Sequence, residues 1–168
     1  MVFRKFIPLL FFSTFALAQD DLAFQVKLIK ELMPDATRVG LLFNPTTDVD
    51  SMIMRAIQET GIKVIKSPIA SVRDVATAVR NLDRYDVDFV IMVEERVVTS
   101  NNAIKYVVKQ TVKKKIPVFT TSDNALTAGA LGRLVNATGK WQMQVNGKVI
   151  RLFDITVPDA NEDFTLEQ

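Results

Sequence analysis

The sequence contains no cysteine and no histidine. Disulfides, thiolate and imidazole metal sites, cysteine nucleophiles and any Ser-His-Asp triad are therefore excluded. Carboxylates, hydroxyls, amides and cations are what remains for the chemistry of a site. Glycine and proline number only six each among 168 residues, and 48% of the chain is hydrophobic. That is the composition of one folded domain of ordinary size, with a core to match. An excess of charge is lacking as well. The formal charge of +2 comes from Arg4 and Lys5; residues 19–168 hold 19 basic and 19 acidic side chains. A neutral chain has no electrostatic footprint for nucleic acid, so no nucleic-acid partner is expected.

No apolar run is long enough to span a bilayer. The longest, Phe6–Leu17, covers 12 residues with Pro8, Ser13 and Thr14 inside it, against roughly 20 for a transmembrane helix. Two cations precede it, and Ala16-Leu17-Ala18 closes it as a small-x-small cleavage site. This three-part arrangement predicts a secretory signal peptide over residues 1–18, with no membrane insertion once it is removed. The mature chain, a single domain over 19–168, would then reach an exported compartment, most simply a bacterial periplasm.

From Asp20 onward, helical and extended patterns alternate. Leu22, Val26, Ile29 and Met33 recur at helical spacing before Pro34. Val39–Phe43 is a continuous apolar run of strand length, ended by Asn44-Pro45. Val49, Met52, Ile53, Ala56 and Ile57 form the next helical stripe, which Gly61 closes. Ile62–Ile65 reads as a second strand, and Ser71-x-x-Asp74 as a capping box opening a helix through Leu82. Phe89–Val93, Ile116–Phe119 and Ala130–Val135 are the third to fifth strands, with a helix at Ala103–Val112. Lys113-Lys114-Lys115 ends that helix as a solvated, dipole-complementing turn. Strands apolar on both faces, separated by amphipathic helices, predict an α/β, doubly wound, mainly parallel five-stranded sheet in the order 2-1-3-4-5. Its core should include Val39, Leu41, Phe43, Ile53, Val90, Met92, Val107 and Phe119.

In such a sheet, ligands bind beyond the carboxyl ends of the strands, near the switch in strand order. Three polar loops meet that condition: Asn44–Asp48, Glu94–Arg96 and Thr120–Asn124. Asn44, Thr46, Thr47, Ser122 and Asp123 could hold an anionic group, with the help of helix N-termini, and Glu94 or Glu95 an ammonium. Each also has a purely structural use as a cap or turn residue. Enzymatic signals are weak. Gly129-Ala130-Leu131-Gly132 lacks the G-x-G-x-x-G pattern, no G-x-x-x-x-G-K-[ST] occurs, and no EF-hand spacing is present. If Glu94 and Glu95 continue the third strand, they point to opposite faces and cannot flank one scissile bond. No catalytic residue, metal or cofactor is predicted.

Lys27–Pro45, which reads KLIKELMPDATRVGLLFNP, resembles the opening of the second lobe of the ABC-transporter substrate-binding family that includes tryptophan- and tyrosine-type binding proteins. Asp74-Val75, Val87-Asp88, Val97-Val98-Thr99, Lys115–Phe119 and Gly129-Ala130-Leu131 fit the same pattern in the same order. Val145-Asn146-Gly147-Lys148 with Asp154–Pro158 is similar to that family's C-terminal segment. On that alignment Asn146 caps a short helix and Ile155–Val157 is extended. Read locally, Trp141–Val145 and Val149–Phe153 would instead form a hairpin around Asn146-Gly147.

The resemblance implies a periplasmic-binding-protein-like single lobe, with ligand contacts in the loops at Asn44–Thr47, Glu94–Arg96 and Ser122–Asp123. It also implies a non-enzymatic solute-binding or sensing protein for a small organic solute, amino-acid-like or a carboxylate, with a membrane transporter or sensor as partner. A single lobe offers a ligand only one wall, so a homodimer or a separate protein would supply the other. The alternative is a ligand-free interaction module that regulates a membrane sensor or transporter.

Overall fold

A computed structural model describes residues 21–137, 139–158 and 162–168. The signal peptide expected over 1–18 lies outside the described residues. The chain alternates α1 (Asp21–Leu32), β1 (Arg38–Phe43), α2 (Asp50–Thr60), β2 (Lys63–Pro68), α3 (Val75–Asp83), β3 (Phe89–Met92), α4 (Asn101–Thr111), β4 (Val118–Thr120) and β5 (Gly132–Ala137). Two further strands follow, β6 (Lys140–Asn146) and β7 (Phe164–Glu167). The sheet order is β2-β1-β3-β4-β5-β6-β7. Its first five strands are parallel and stand in the expected order.

The alternation of side chains across each strand divides the core in two. Val39, Leu41, Phe43, Phe89, Ile91 and Phe119 face α1 and α2, and Leu42, Val90, Met92 and Val118 face α3 and α4. All eight residues named for the core are buried. The Phe89 and Phe119 rings meet edge-to-face with centroids 6.0 Å apart. Local signals act where they stand in the sequence. Gly61 takes the left-handed conformation, φ 68°, that ends α2. Ser71 and Asp74 form the reciprocal capping box, at a short 3₁₀ turn (Val72–Asp74) that leads into α3. The Asp88 carboxylate accepts from the Thr37 and Arg38 backbone N–H groups at 2.7 and 2.8 Å, tying the entry of β3 to that of β1. In the lysine run, Lys114 pairs with Asp83 and Lys115 with Asp154.

The expectation of five strands is corrected to seven. β5 runs two residues later than expected, and β6 returns antiparallel beside it from Lys140. β7 then adds parallel to β6. The signal in β6 is weak because its sequence, KWQMQVN, buries only Met143, Val145 and Asn146. β7 exposes three of its four residues. Neither has the apolar run that marks a strand covered on both faces. The hairpin about Asn146-Gly147 is not formed. Asn146 instead ends β6, its side-chain oxygen accepts from the Lys148 N–H at 3.2 Å, and a 3₁₀ turn follows at Ile150–Leu152. Residues 155–158 carry no regular element.

Candidate functional site

The chain steps from β1 outward to β2 and then back across to β3, so the strand order switches between β1 and β3. A depression of about 290 Å³ opens there at the carboxyl edge. Ile91, Met92 and Val93 form its floor, and Thr47, Glu94 and Thr121 come from the loops after β1, β3 and β4. Leu22 and Gln25 of α1 and Met52 of α2 wall one side. The Thr121 hydroxyl donates to the Glu94 carboxylate at 2.8 Å, bridging the loops after β4 and β3. A carboxylate has about four acceptor positions, so one hydroxyl leaves Glu94 able to take further donors.

Of the residues selected from sequence, Thr47 and Glu94 are brought together in this depression. Asn44, Thr46 and Glu95 build the loops around it. The Asn44 side-chain oxygen accepts from the Thr46 N–H at 3.0 Å and the Thr46 hydroxyl at 2.8 Å, a closed turn after β1. Glu95 turns back on its own loop and accepts from the Val97 and Val98 N–H groups at 2.8 and 3.2 Å. Partial burial pushes its carboxyl upward, but bonds from Val97, the Asn44 side chain and Val98, with the charge of Arg96, outweigh this. The group is held below the ordinary value of 4.5. The adjacent glutamates thus divide the work: Glu94 faces the depression, and Glu95 folds the loop that presents it. They do so because β3 ends at Met92, so neither continues the strand.

Ser122 and Asp123 stand outside this depression. Ser122 is buried, and its hydroxyl donates to the Asn124 side-chain oxygen at 2.7 Å. Asp123 pairs with Arg133 at 2.8 Å on the rim of a neighbouring depression of about 600 Å³. Two polar lining residues, Thr121 and Gln25, escaped sequence reasoning. Thr121 lies in a loop that was singled out, one residue before those chosen from it. Gln25 had a clearer signal: a polar residue at helical spacing from Leu22 and Ile29, on the stripe that faces the core. A larger depression of about 650 Å³ lies between β2 and α3. Its Ser67 hydroxyl is committed to the Ala78 carbonyl at 3.0 Å and accepts from the Asn81 amide at 3.4 Å.

Residues 18–158 match the family model described as ABC transporter substrate binding protein. The chain belongs to that family. No curated protein matches it significantly. Among solved structures, this substrate-binding family member is similar to a conserved domain protein from Vibrio cholerae, with 20% identity and a TM-score of 0.71 over 83% of this chain and 57% of that one. It is similar to an ABC domain in complex with L-Trp from Streptococcus pneumoniae, with 19% identity and a TM-score of 0.70 over 82% and 57%. A ligand-free, open substrate-binding protein with adhesive properties from Clostridium difficile gives 18% identity and a TM-score of 0.69 over 85% and 58%. These likenesses establish the periplasmic-binding-protein-like fold. The chain spans less than three fifths of the length of each of the three.

Proposed function

We propose that the protein is an exported solute-binding or sensing protein that holds a small organic solute at the carboxyl edge of its sheet and works with a membrane transporter. The family match over residues 18–158 is the observation that carries this reading. The depression at the strand switch supports it, because that is where an open α/β sheet accommodates ligands. Thr47, Glu94 and Thr121 are proposed to meet the solute, while Asn44, Thr46 and Glu95 hold the loops in shape. Ser122 and Asp123 act at the margin. No reaction is assigned to the site, in keeping with a family of binding proteins. Removal of residues 1–18 on export would leave a lobe of residues 19–168 in the periplasm. Among the described residues no helix is long and apolar enough to cross a membrane.

The depression leaves Glu94 exposed, whereas small-molecule sites bury about 70–90% of their ligand. A second copy facing the first across these edges, or the transporter itself, would complete the enclosure. A thermal-shift panel of amino acids, amines and small carboxylates tests the reading. A solute at 100 times its dissociation constant should add about 2.7 kcal/mol of stability. Sizing with and without that solute reports on the second wall. A panel with no stabilising solute, together with capture of a membrane sensor, would favour the interaction-module alternative.

A further inference from the structure

The helices on the two faces of the sheet carry charge differently. On α2, Asp50 pairs with Lys66 at 2.9 Å and Arg55 with Glu59 at 2.7 Å. Residues 101–115, which hold α4 and the turn that continues it, contain five lysines and no acidic residue. Lys105, Lys109 and Lys113 recur every four residues and are exposed, so they form one crest along the outside of α4. Arg80 and Arg84 are exposed one turn apart, on α3 and at its C-terminal cap. α3 lies beside α4, and the Lys114–Asp83 pair at 2.9 Å joins them at one end. Among the described residues, none of these five cations takes part in an ion pair. The Arg80 guanidinium donates to the Thr77 hydroxyl at 3.0 Å.

The spread of these charges narrows what can meet them. From Lys105 to Lys113 a helix rises about 12 Å, and packed helices lie about 8–10 Å apart. A small anion therefore reaches one or two of the five at a time. A plane of anionic groups reaches all of them. Val72 and Tyr106, 61% and 39% exposed, stand on the same pair of helices and border an apolar hollow of about 220 Å³. A tyrosine beside cations suits a headgroup layer, where its ring meets apolar surroundings and its hydroxyl polar ones. The depression at the carboxyl edge is walled by α1 and α2, so contact through α3 and α4 leaves it uncovered.

We propose that the paired helices α3 and α4 dock on a bilayer rich in anionic phospholipid, with Lys105, Lys109, Lys113, Arg80 and Arg84 over the phosphates and Tyr106 at headgroup level. This rests on the reading of an exported protein that works with a membrane transporter, and extends it: the bilayer itself holds the protein beside that transporter. Each basic side chain near such a surface strengthens binding about fivefold. The neutral net charge of residues 19–168 does not oppose this, because at 0.1 M salt charges beyond about 10 Å are screened.

The test floats the purified full chain with phosphatidylcholine vesicles containing about 30% phosphatidylglycerol, at about 0.1 M salt, and compares two triple variants of equal charge. Lys105→Gln/Lys109→Gln/Lys113→Gln removes the crest of α4. Lys27→Gln/Lys63→Gln/Lys148→Gln removes exposed lysines from α1, β2 and the turn after β6. Residues 1–18 are common to all three proteins, so the gap between the variants reports on the helices alone. The crest variant should bind about 100-fold more weakly than the unaltered protein, and the other variant within about threefold of it. Both should melt within about 2 °C of the unaltered protein, since exposed substitutions change stability little. The gap should close on phosphatidylcholine alone and at about 1 M salt, where screening shortens to about 3 Å. Equal loss in both variants, no loss in either, a gap that survives high salt, or no binding to the vesicles overturns the inference. A salt-sensitive dimer on sizing that the crest variant abolishes, without vesicle binding, would overturn it in favour of a second copy. Solute binding is read on the thermal-shift panel without vesicles, so that reading stands or falls separately.

Discussion

Two depressions lie side by side at the carboxyl edge of the sheet, and they use polar groups in opposite ways. In the one rimmed by Asp123, the side chains of Asp123, Arg133, Gln144 and Asn146 are spent on the protein itself. Arg133 donates to the Asp123 carboxylate at 2.8 Å and to the Gln144 side-chain oxygen at 2.9 Å, and Asn146 donates to the Leu126 and Ala130 carbonyls at 2.9 and 3.2 Å. These bonds clasp the loop after β4 onto β5 and β6. In the depression rimmed by Glu94 the lining is mostly apolar, a buried amide has no partner, and a carboxylate has acceptor positions to spare. Polarity by itself therefore does not mark a ligand site. What sets the two apart is buried polarity that the fold leaves unsatisfied.

The sharpest way to break this contrast is to remove the clasp. Asn146 is 6% exposed, and its side chain makes three hydrogen bonds to backbone groups. Asn146→Ala leaves two carbonyls and an N–H without this partner and should lower stability by about 2–3 kcal/mol. That corresponds to a fall of about 4–10 °C in Tm for a domain of this size. Solute affinity measured well below the transition should change little, since Asn146 does not line the Glu94 depression. A Tm within about 1 °C of the unaltered protein would show that the clasp is dispensable.

A smaller effect is expected from Glu95, which shapes the site loop without facing the depression. Replacing its charge with Glu95→Gln keeps an acceptor but weakens charge-assisted bonds to Val97 and Val98, for a loss of about 1 kcal/mol at pH 7. The folded carboxyl lies below its ordinary value of 4.5. Its contribution is therefore fully present above 4.5 and disappears as pH falls through the lower, folded value. The gap in stability between the unaltered protein and the variant should hold from neutral pH to about 5 and close below that. Denaturant titrations across that range check it, and a gap that widened on acidification would reverse the assignment.

The contrast also explains what the sequence could reveal. β1, β3 and β4 are apolar on both faces, so runs such as Val39–Phe43 and Phe89–Val93 identified them and placed the three loops at one edge. β6 and β7 sit toward the outer end of the sheet and bury few residues, so Trp141–Val145 was legible only as one arm of a local hairpin, and nothing distinguished FTLE from surface loop. The loops themselves were legible, and the direction of individual side chains within them was not. Whether Glu94 or Glu95 faced the site depended on β3 ending at Met92, a boundary that periodicity does not resolve to one residue. Whether Asp123 was available depended on Arg133, ten residues away on the next strand. The apolar stripe of α1 could have exposed Gln25, because a polar residue at a core position either finds a partner or awaits one.

A third expectation concerns the bridge between the loops. Thr121→Val keeps the shape of the side chain and removes the hydroxyl that holds the Glu94 carboxylate. Glu94 is exposed, and the bond lies near solvent, so stability should change by less than about 0.5 kcal/mol. Affinity for a stabilising solute from the thermal-shift panel should fall about threefold, because the carboxylate is no longer fixed before the ligand arrives. Unchanged affinity would mean that Glu94 is positioned by its own backbone and that the bridge is incidental.

The smallest expected effect belongs to Asp123. Its carboxylate meets the Arg133 guanidinium at 2.8 Å, but its side chain is fully exposed while that of Arg133 is 20% exposed. Water and salt screen such a pair, and both partners lose side-chain freedom when they meet. Arg133 also donates to the Asp123 backbone carbonyl at 3.1 Å and to Gln144, bonds that survive a change at the carboxylate. Asp123→Asn keeps an acceptor for the guanidinium and removes only the charge. Tm should therefore stay within about 1 °C, and a stabilising solute from the thermal-shift panel should bind as it does to the unaltered protein. The informative comparison is with Glu94→Gln, which neutralises an exposed carboxylate at the same sheet edge and should cost binding without costing stability. If Asp123→Asn weakened binding as much as Glu94→Gln, the two depressions would act as one site. Paired and unpaired polar groups would then have to be weighed together.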